Sequence, residues 1–188
     1  IELFSGTASS DKFYGSDIAD EFHGGSGDDI IYGYGGTDYL TGDAGDDILD
    51  GGDDRDGFVG GAGNDTIIGG AGNNDWLHYD RESGSLGIHV NVAEGYALDT
   101  FGDRDSISGI ELFSGTASSD KFYGSDIVDE FHGGAGDDIL YGYGGTDYLT
   151  GGDGDDLLDG GDDRDGFVGG AGNDTIIGGA GDNDWLHY

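Results

Sequence analysis

The sequence has no cysteine and no proline, and only six basic side chains among 188 residues. Without cysteine, neither disulfides nor thiolate metal sites can hold a fold together. With Lys and Arg few and isolated, nothing is clustered to grip a phosphate backbone, so nucleic acid is excluded as a partner. An anionic membrane surface is excluded on the same ground. No apolar run approaches the ~20 residues of a membrane span, and no basic-then-apolar leader opens the chain. No membrane insertion is expected, and an export signal, if used, is expected outside these residues.

What is abundant is acid and glycine. Asp and Glu number 41 against 6 Lys and Arg, giving a formal charge of 6 − 41 = −35, and glycine contributes 44 residues. Such a chain repels itself when compact and loses much backbone entropy on ordering. That combination alone argues for disorder. Yet 11 Tyr, 9 Phe and 2 Trp are present, and apolar residues recur at a fixed interval. The chain is therefore expected to fold once something positive neutralises it.

Two periods are nested in the sequence. Residues 1–79 recur as 110–188, an offset of 109, with seven differences and 72 identities. These are read as array 1, a connector over 80–109, and array 2; the chain looks like a window cut from a longer series of 109-residue units. Within each array a period of nine starts at Gly6, Gly15, Gly24, Gly33, Gly42, Gly51, Gly60 and Gly69, and again from Gly115 to Gly178. The clearest copy is Gly60-Gly61-Ala62-Gly63-Asn64-Asp65-Thr66-Ile67-Ile68.

Position 8 is always large and apolar: Phe13, Phe22, Ile31, Leu40, Leu49, Phe58, Ile67, then Trp76 or Leu77. Glycines at positions 1, 2 and 4 suit a tight turn, and three residues with an apolar centre suit a short strand pointing that centre inward. Turn, strand, turn, strand makes a coil of 18 residues, stacked on the next at ~4.8 Å. The last copy carries one extra residue, so Asp75 is expected to stand in for the position-6 aspartate. In the connector, residues 87–92 alternate like a strand, 93–95 turn and 96–98 pair back, while Asp103-Arg104-Asp105 resumes the register of Asp54-Arg55-Asp56.

Position 6 supplies the chemistry. A hard cation such as Ca²⁺ takes six to eight oxygen ligands from carboxylates and carbonyls. Turns 18 residues apart share an edge, so Asp11, Asp29, Asp47 and Asp65 line one side and Asp20, Asp38, Asp56 and Asp75 the other. Array 2 repeats them as Asp120, Asp138, Asp156 and Asp174, and as Asp129, Asp147, Asp165 and Asp184. The turn glycines Gly25, Gly27, Gly36, Gly45, Gly61 and Gly63, with Gly134, Gly136, Gly145, Gly154, Gly170 and Gly172, are expected to aim carbonyls at the ions.

This pattern resembles the RTX (repeats-in-toxin) nonapeptide family, G-G-x-G-x-D-x-U-x with U large and apolar. The resemblance covers nearly all of both arrays. It implies an all-β, right-handed parallel β-roll, several calcium ions held between successive turns, and type I secretion from a Gram-negative bacterium to the cell surface or beyond. Position 4 departs from it at Ser9, Ile18 and Asp54, and at their copies Ser118, Ile127 and Asp163. Those turns are expected to bind weakly or not at all.

Other chemistries find little footing. No EF-hand spacing, no nucleophile elbow, no P-loop Lys and no helical His pair is present, so an enzyme is not expected. The histidines read as surface or packing residues. Trp76 and Trp185 are expected to cap the stacked core, and a glycan partner has only them to recommend it. Outward positions Lys12, Tyr14, Ile30, Tyr32, Ile48, Asp50, Thr66 and Ile68 form a mainly apolar stripe. It is expected to pack under the connector through Ile88, Val90 and Val92, or to support self-association. The favoured role is a calcium-stiffened segment of a fibre, adhesin stalk or surface-layer protein; the alternative is a secretion and folding module of a larger enzyme or toxin.

Overall fold

A computed structural model describes residues 2–181 and 183–187. Among the described residues there is no helix; short strands alternate with turns along the chain. The local reason is the nine-residue unit. In Ile30–Tyr34, Ile31 is buried while Ile30 and Tyr32 lie partly exposed on the other face, as a period of two requires.

Alternate strands build two sheets. The first has ten strands in the order Glu2–Ser5, Asp20–Ser26, Tyr39–Ala44, Gly57–Ala62, Trp76–His78, Leu112–Ser114, Glu130–Ala135, Tyr148–Asp153, Gly166–Ala171 and Trp185–His187. All its pairings are parallel. Ten layers span about 43 Å along the axis at ~4.8 Å per step. Register holds at 18 residues, Phe22 facing Leu40 and Leu40 facing Phe58. The fold is thus a parallel β-solenoid of two arrays joined by a hairpin-containing connector.

The second sheet has eleven strands, and the connector explains the difference. Arg104–Ser108 stacks in parallel on Thr66–Gly70 of array 1. Tyr96–Leu98 and His89–Asn91 then add antiparallel, and His89–Asn91 pairs in parallel with Lys121–Ser125 of array 2. Three strands therefore separate the arrays in this sheet, whereas in the first Trp76–His78 of array 1 pairs directly with Leu112–Ser114 of array 2. The hairpin read from the sequence is present, and it is built into the sheet itself.

The core is the position-8 column. Phe22, Ile31, Leu40, Leu49, Phe58, Ile67 and Leu77 are 0–1 % exposed, the connector continues the column with Val90, Ala97 and Ile107, and array 2 takes it up at Phe113. Two expectations need correction here. The extra residue in the last copy puts Leu77 opposite Phe58 and turns Trp76 outward, so Trp76 does not cap the core. Its indole N–H donates to Ser114 Oγ at 2.8 Å and its ring stacks on His78. The connector does not cover the outward stripe either: Ile88 and Val90 are buried in the core, Val92 packs against it, and Tyr14 remains 60 % exposed. In-line pairing satisfies the hairpin backbone and buries its apolar face in one step, which lying across the stripe would not do.

Candidate calcium-binding corners

Each edge of the solenoid carries a ladder of aspartates, one per coil. Along one edge the N–H of Asp11 donates to Oδ1 of Asp29, that of Asp29 to Asp47, and that of Asp47 to Asp65, at 2.7–2.8 Å. Along the other, Asp20 donates to Asp38, Asp38 to Asp56 and Asp56 to Asp75 at 2.8 Å. Asp75 therefore stands in for the position-6 aspartate, as its spacing predicts. Array 2 repeats both ladders from Asp120 to Asp138, Asp156 and Asp174, and from Asp129 to Asp147, Asp165 and Asp184.

One oxygen of each carboxylate is thus committed, and the other is often left over. Oδ2 of Asp29, Asp38, Asp47, Asp56, Asp65, Asp75, Asp138, Asp147, Asp156 and Asp165 is buried with no hydrogen-bond partner. Ten such anionic atoms in one small domain, in place of the usual few unsatisfied groups, call for a common explanation. Each lies against the Cα of the position-1 glycine of its own repeat. At Gly24, Gly33, Gly42, Gly133, Gly142 and Gly151 the carbonyl of the position-1 glycine one coil on stands beside it: a Cβ on Gly24 would run into Asp29 Oδ2 and stand 2.6 Å from Gly42 O. A cradle of carboxylate and carbonyl oxygens, with room that only glycine leaves, fits a hard divalent cation.

The predicted glycines shape these corners through their backbone. Gly25, Gly27, Gly36, Gly45, Gly61, Gly63, Gly134, Gly136, Gly145, Gly154, Gly170 and Gly172 all have φ between 100° and 147°. Sequence reasoning missed the position-1 glycines, several of whose carbonyls lie beside the orphaned oxygens. Their signal was occupancy of all sixteen copies without any turn conformation to demand it. Asp54 and Asp163, doubted because position 4 is not glycine, adopt φ 76° and keep the corner shape. The corners with Ser9, Ile18, Ser118 and Ile127 do differ.

Sequence reasoning also missed two ladder members. Asp105 accepts from the N–H of Asp65 at 3.1 Å and carries the ladder into the connector, as its register with Asp56 could have shown. Glu111 accepts from the N–H of Asp75 at 3.1 Å, a glutamate doing an aspartate's work. Burial first, and then neighbouring carboxylates, push these acids up. Asp56, Asp65, Asp138 and Asp147 lie at about 7, Asp47 at about 6 and Asp105 at about 8. Ladder hydrogen bonds oppose the rise without cancelling it. Among the described residues, no group of three or more His, Cys, Asp or Glu side chains is placed to hold a metal ion by itself.

A parallel solenoid whose glycine corners present paired carboxylate and carbonyl oxygens belongs to the calcium-dependent repeat proteins. The sequence matches the RTX calcium-binding nonapeptide repeat over residues 14–49, 50–75, 123–158, 132–167 and 159–184, and the chain belongs to that family. Among curated proteins, none matches it. The chain is a calcium-binding repeat module with no long apolar helix among its described residues.

Proposed function

We propose that this chain is a calcium-clamped structural segment of a secreted protein, serving in a fibre, adhesin stalk or surface layer outside a Gram-negative cell. The supporting observation is the ten orphaned Oδ2 atoms at the corners of one uninterrupted solenoid. Each needs a cation, and each cation would bind two successive coils, so ion binding and stiffness are the same event. The ligands would be the position-6 aspartates, the position-1 carbonyls and the turn glycines, with residues 1–79, 80–109 and 110–188 as array, connector and array. In cytosol, with little free calcium, a charge of −35 keeps the chain open. Outside, sites of roughly 10⁻⁴ to 10⁻³ M affinity fill and the chain folds.

A non-catalytic role accords with a fold whose buried polar groups are spent on its own corners. The 109-residue super-repeat favours a load-bearing role over a secretion module, for which one array would suffice. Circular dichroism and small-angle scattering in chelator and in millimolar calcium test the reading. A coil that becomes a strand-rich rod is the expected result. A profile indifferent to chelator would overturn it.

A further inference from the structure

The sixteen corners are of two kinds, and the geometry points to the residue at position 2 as the switch between a corner closed by an ion and one closed by the protein itself. This rests on the calcium reading above and deepens it. In the corners at Asp11, Asp20, Asp120 and Asp129, position 2 is Thr7, Ser16, Thr116 and Ser125. The N–H of Thr7 donates to Asp11 Oδ2 at 2.7 Å and its hydroxyl donates to the same atom at 2.9 Å. Ser16 does this to Asp20 at 3.0 Å twice, and Ser125 to Asp129 at 2.8 and 3.0 Å. Thr116 splits the pair, its N–H to Asp120 Oδ2 at 2.5 Å and its hydroxyl to Oδ1 at 3.0 Å.

The Oδ2 orphaned elsewhere is therefore occupied here, by two donors at Asp11, Asp20 and Asp129 and by one at Asp120, while at Asp20 and Asp129 it is Oδ1 that is left without a partner. The backbone agrees with the side chains. No residue in 7–11, 16–20, 116–120 or 125–129 has a positive φ, whereas the ten orphan corners combine a positive-φ position 2 with the left-handed turn, even where that residue is Tyr34, Asp43 or Tyr143. A left-handed position 2 turns its N–H away from the carboxylate and leaves the oxygen for a cation. A Thr or Ser there keeps ordinary φ and brings both donors in. The pattern recurs in both arrays, whose sequences are the same at these positions. Sixteen aspartates, less four self-capped ones and less Asp174 and Asp184 in the outermost coil, leave ten ion corners, the same ten that carry orphaned Oδ2 atoms. The first coil of each array thus needs no calcium and divides the solenoid into ion-filled runs bounded by ion-free coils.

The test rebuilds two corners to the glycine pattern with T116G, S118G, S125G and I127G together. Bound calcium per chain is measured by plasma emission after equilibrium dialysis, beside the unaltered protein. The rebuilt chain is expected to gain about two ions, one per corner; an unchanged count overturns the inference. Should that variant fail to fold in calcium, Thr116→Val with Ser125→Ala decides, because it removes only hydroxyls. An unchanged ion count with a melting temperature lowered by roughly 4–8 °C upholds self-capping. A count lowered by about two makes the hydroxyls calcium ligands and overturns it. Absence of any calcium from the unaltered protein would instead overturn the functional reading, and this inference with it.

Discussion

The backbone N–H of Asp65 donates to Oδ1 of Asp105 across 3.1 Å, although 40 residues separate them. This bond carries one aspartate ladder out of array 1 and into the connector. The arrays are joined by a continuation of the same corner chemistry, and the core column runs through with them from Ile67 to Ile107. A solenoid built this way has few independent parts: each coil is held by its neighbours, and the carboxylates are held by backbone one coil away. Loss of one rung is therefore expected to be felt along the axis.

Asp47 tests a single rung. Asp47→Ala leaves the buried N–H of Asp29 without an acceptor and removes a cation oxygen. We expect a loss of about 1–3 kcal/mol from the unpaired donor alone, and a higher calcium midpoint for folding by circular dichroism. Asp47→Asn keeps an Oδ1 acceptor and should separate the two contributions, lowering the ion count with a smaller change in melting temperature. Equal effects of the two variants would contradict the division of labour between Oδ1 and Oδ2.

Gly42 tests the cradle. A Cβ there would run into Asp47 Oδ2 and stand 2.6 Å from the carbonyl of Gly60, in the space assigned to the cation. Gly42→Ala should therefore lower the calcium count by about one, although its φ permits alanine. Retention of full calcium binding would place the ion elsewhere.

Leu77 and Trp76 test the register shift. Leu77 is fully buried opposite Phe58, while Trp76 lies on the outer face. Leu77→Ala should cost about 2–5 kcal/mol in saturating calcium. Trp76→Ala, losing one hydrogen bond and ring contacts, should cost about 1–2 kcal/mol. A reversed order in thermal unfolding would mean that Trp76 occupies the core.

Acid should stabilise the calcium-free solenoid. The buried Asp56, Asp65, Asp138 and Asp147 bind protons more tightly when folded, near pH 7, than at their ordinary value of 3.8. Their contribution is fully present below about 3.8 and is lost as pH rises through about 7. In chelator, strand content at pH 4.5 should exceed that at pH 8. With calcium the order should reverse, since protons compete with the ion. A pH-independent spectrum in chelator would contradict burial of these acids.

Asp43 is held at φ 74°, where array 2 has Gly152 at φ 123°. A left-handed aspartate costs about 1–2 kcal/mol, offset in part by the extra unfolded-state entropy of glycine. Asp43→Gly is thus expected to raise stability by about 0.5–1 kcal/mol in calcium melts. A lower melting temperature would show that Asp43 earns its place by another contact.

The sequence by itself determined the coil, because a period of nine residues is local information: glycine permits the turn, the position-8 residue fills the core, and two units close one layer. It also determined the aspartate edges, the hairpin at residues 89–98 and the substitution of Asp75. Only the tertiary structure decided which carboxylate oxygens remain unpaired, since their partners lie one coil away in space or, for Thr7 and Ser16, in a backbone angle that spacing does not reveal. It likewise decided that Trp76 faces outward and that Val90 enters the core, because one extra residue or one added strand changes the face a side chain points to. Alternation fixes which residues share a face; stacking against a neighbour fixes which face is inside.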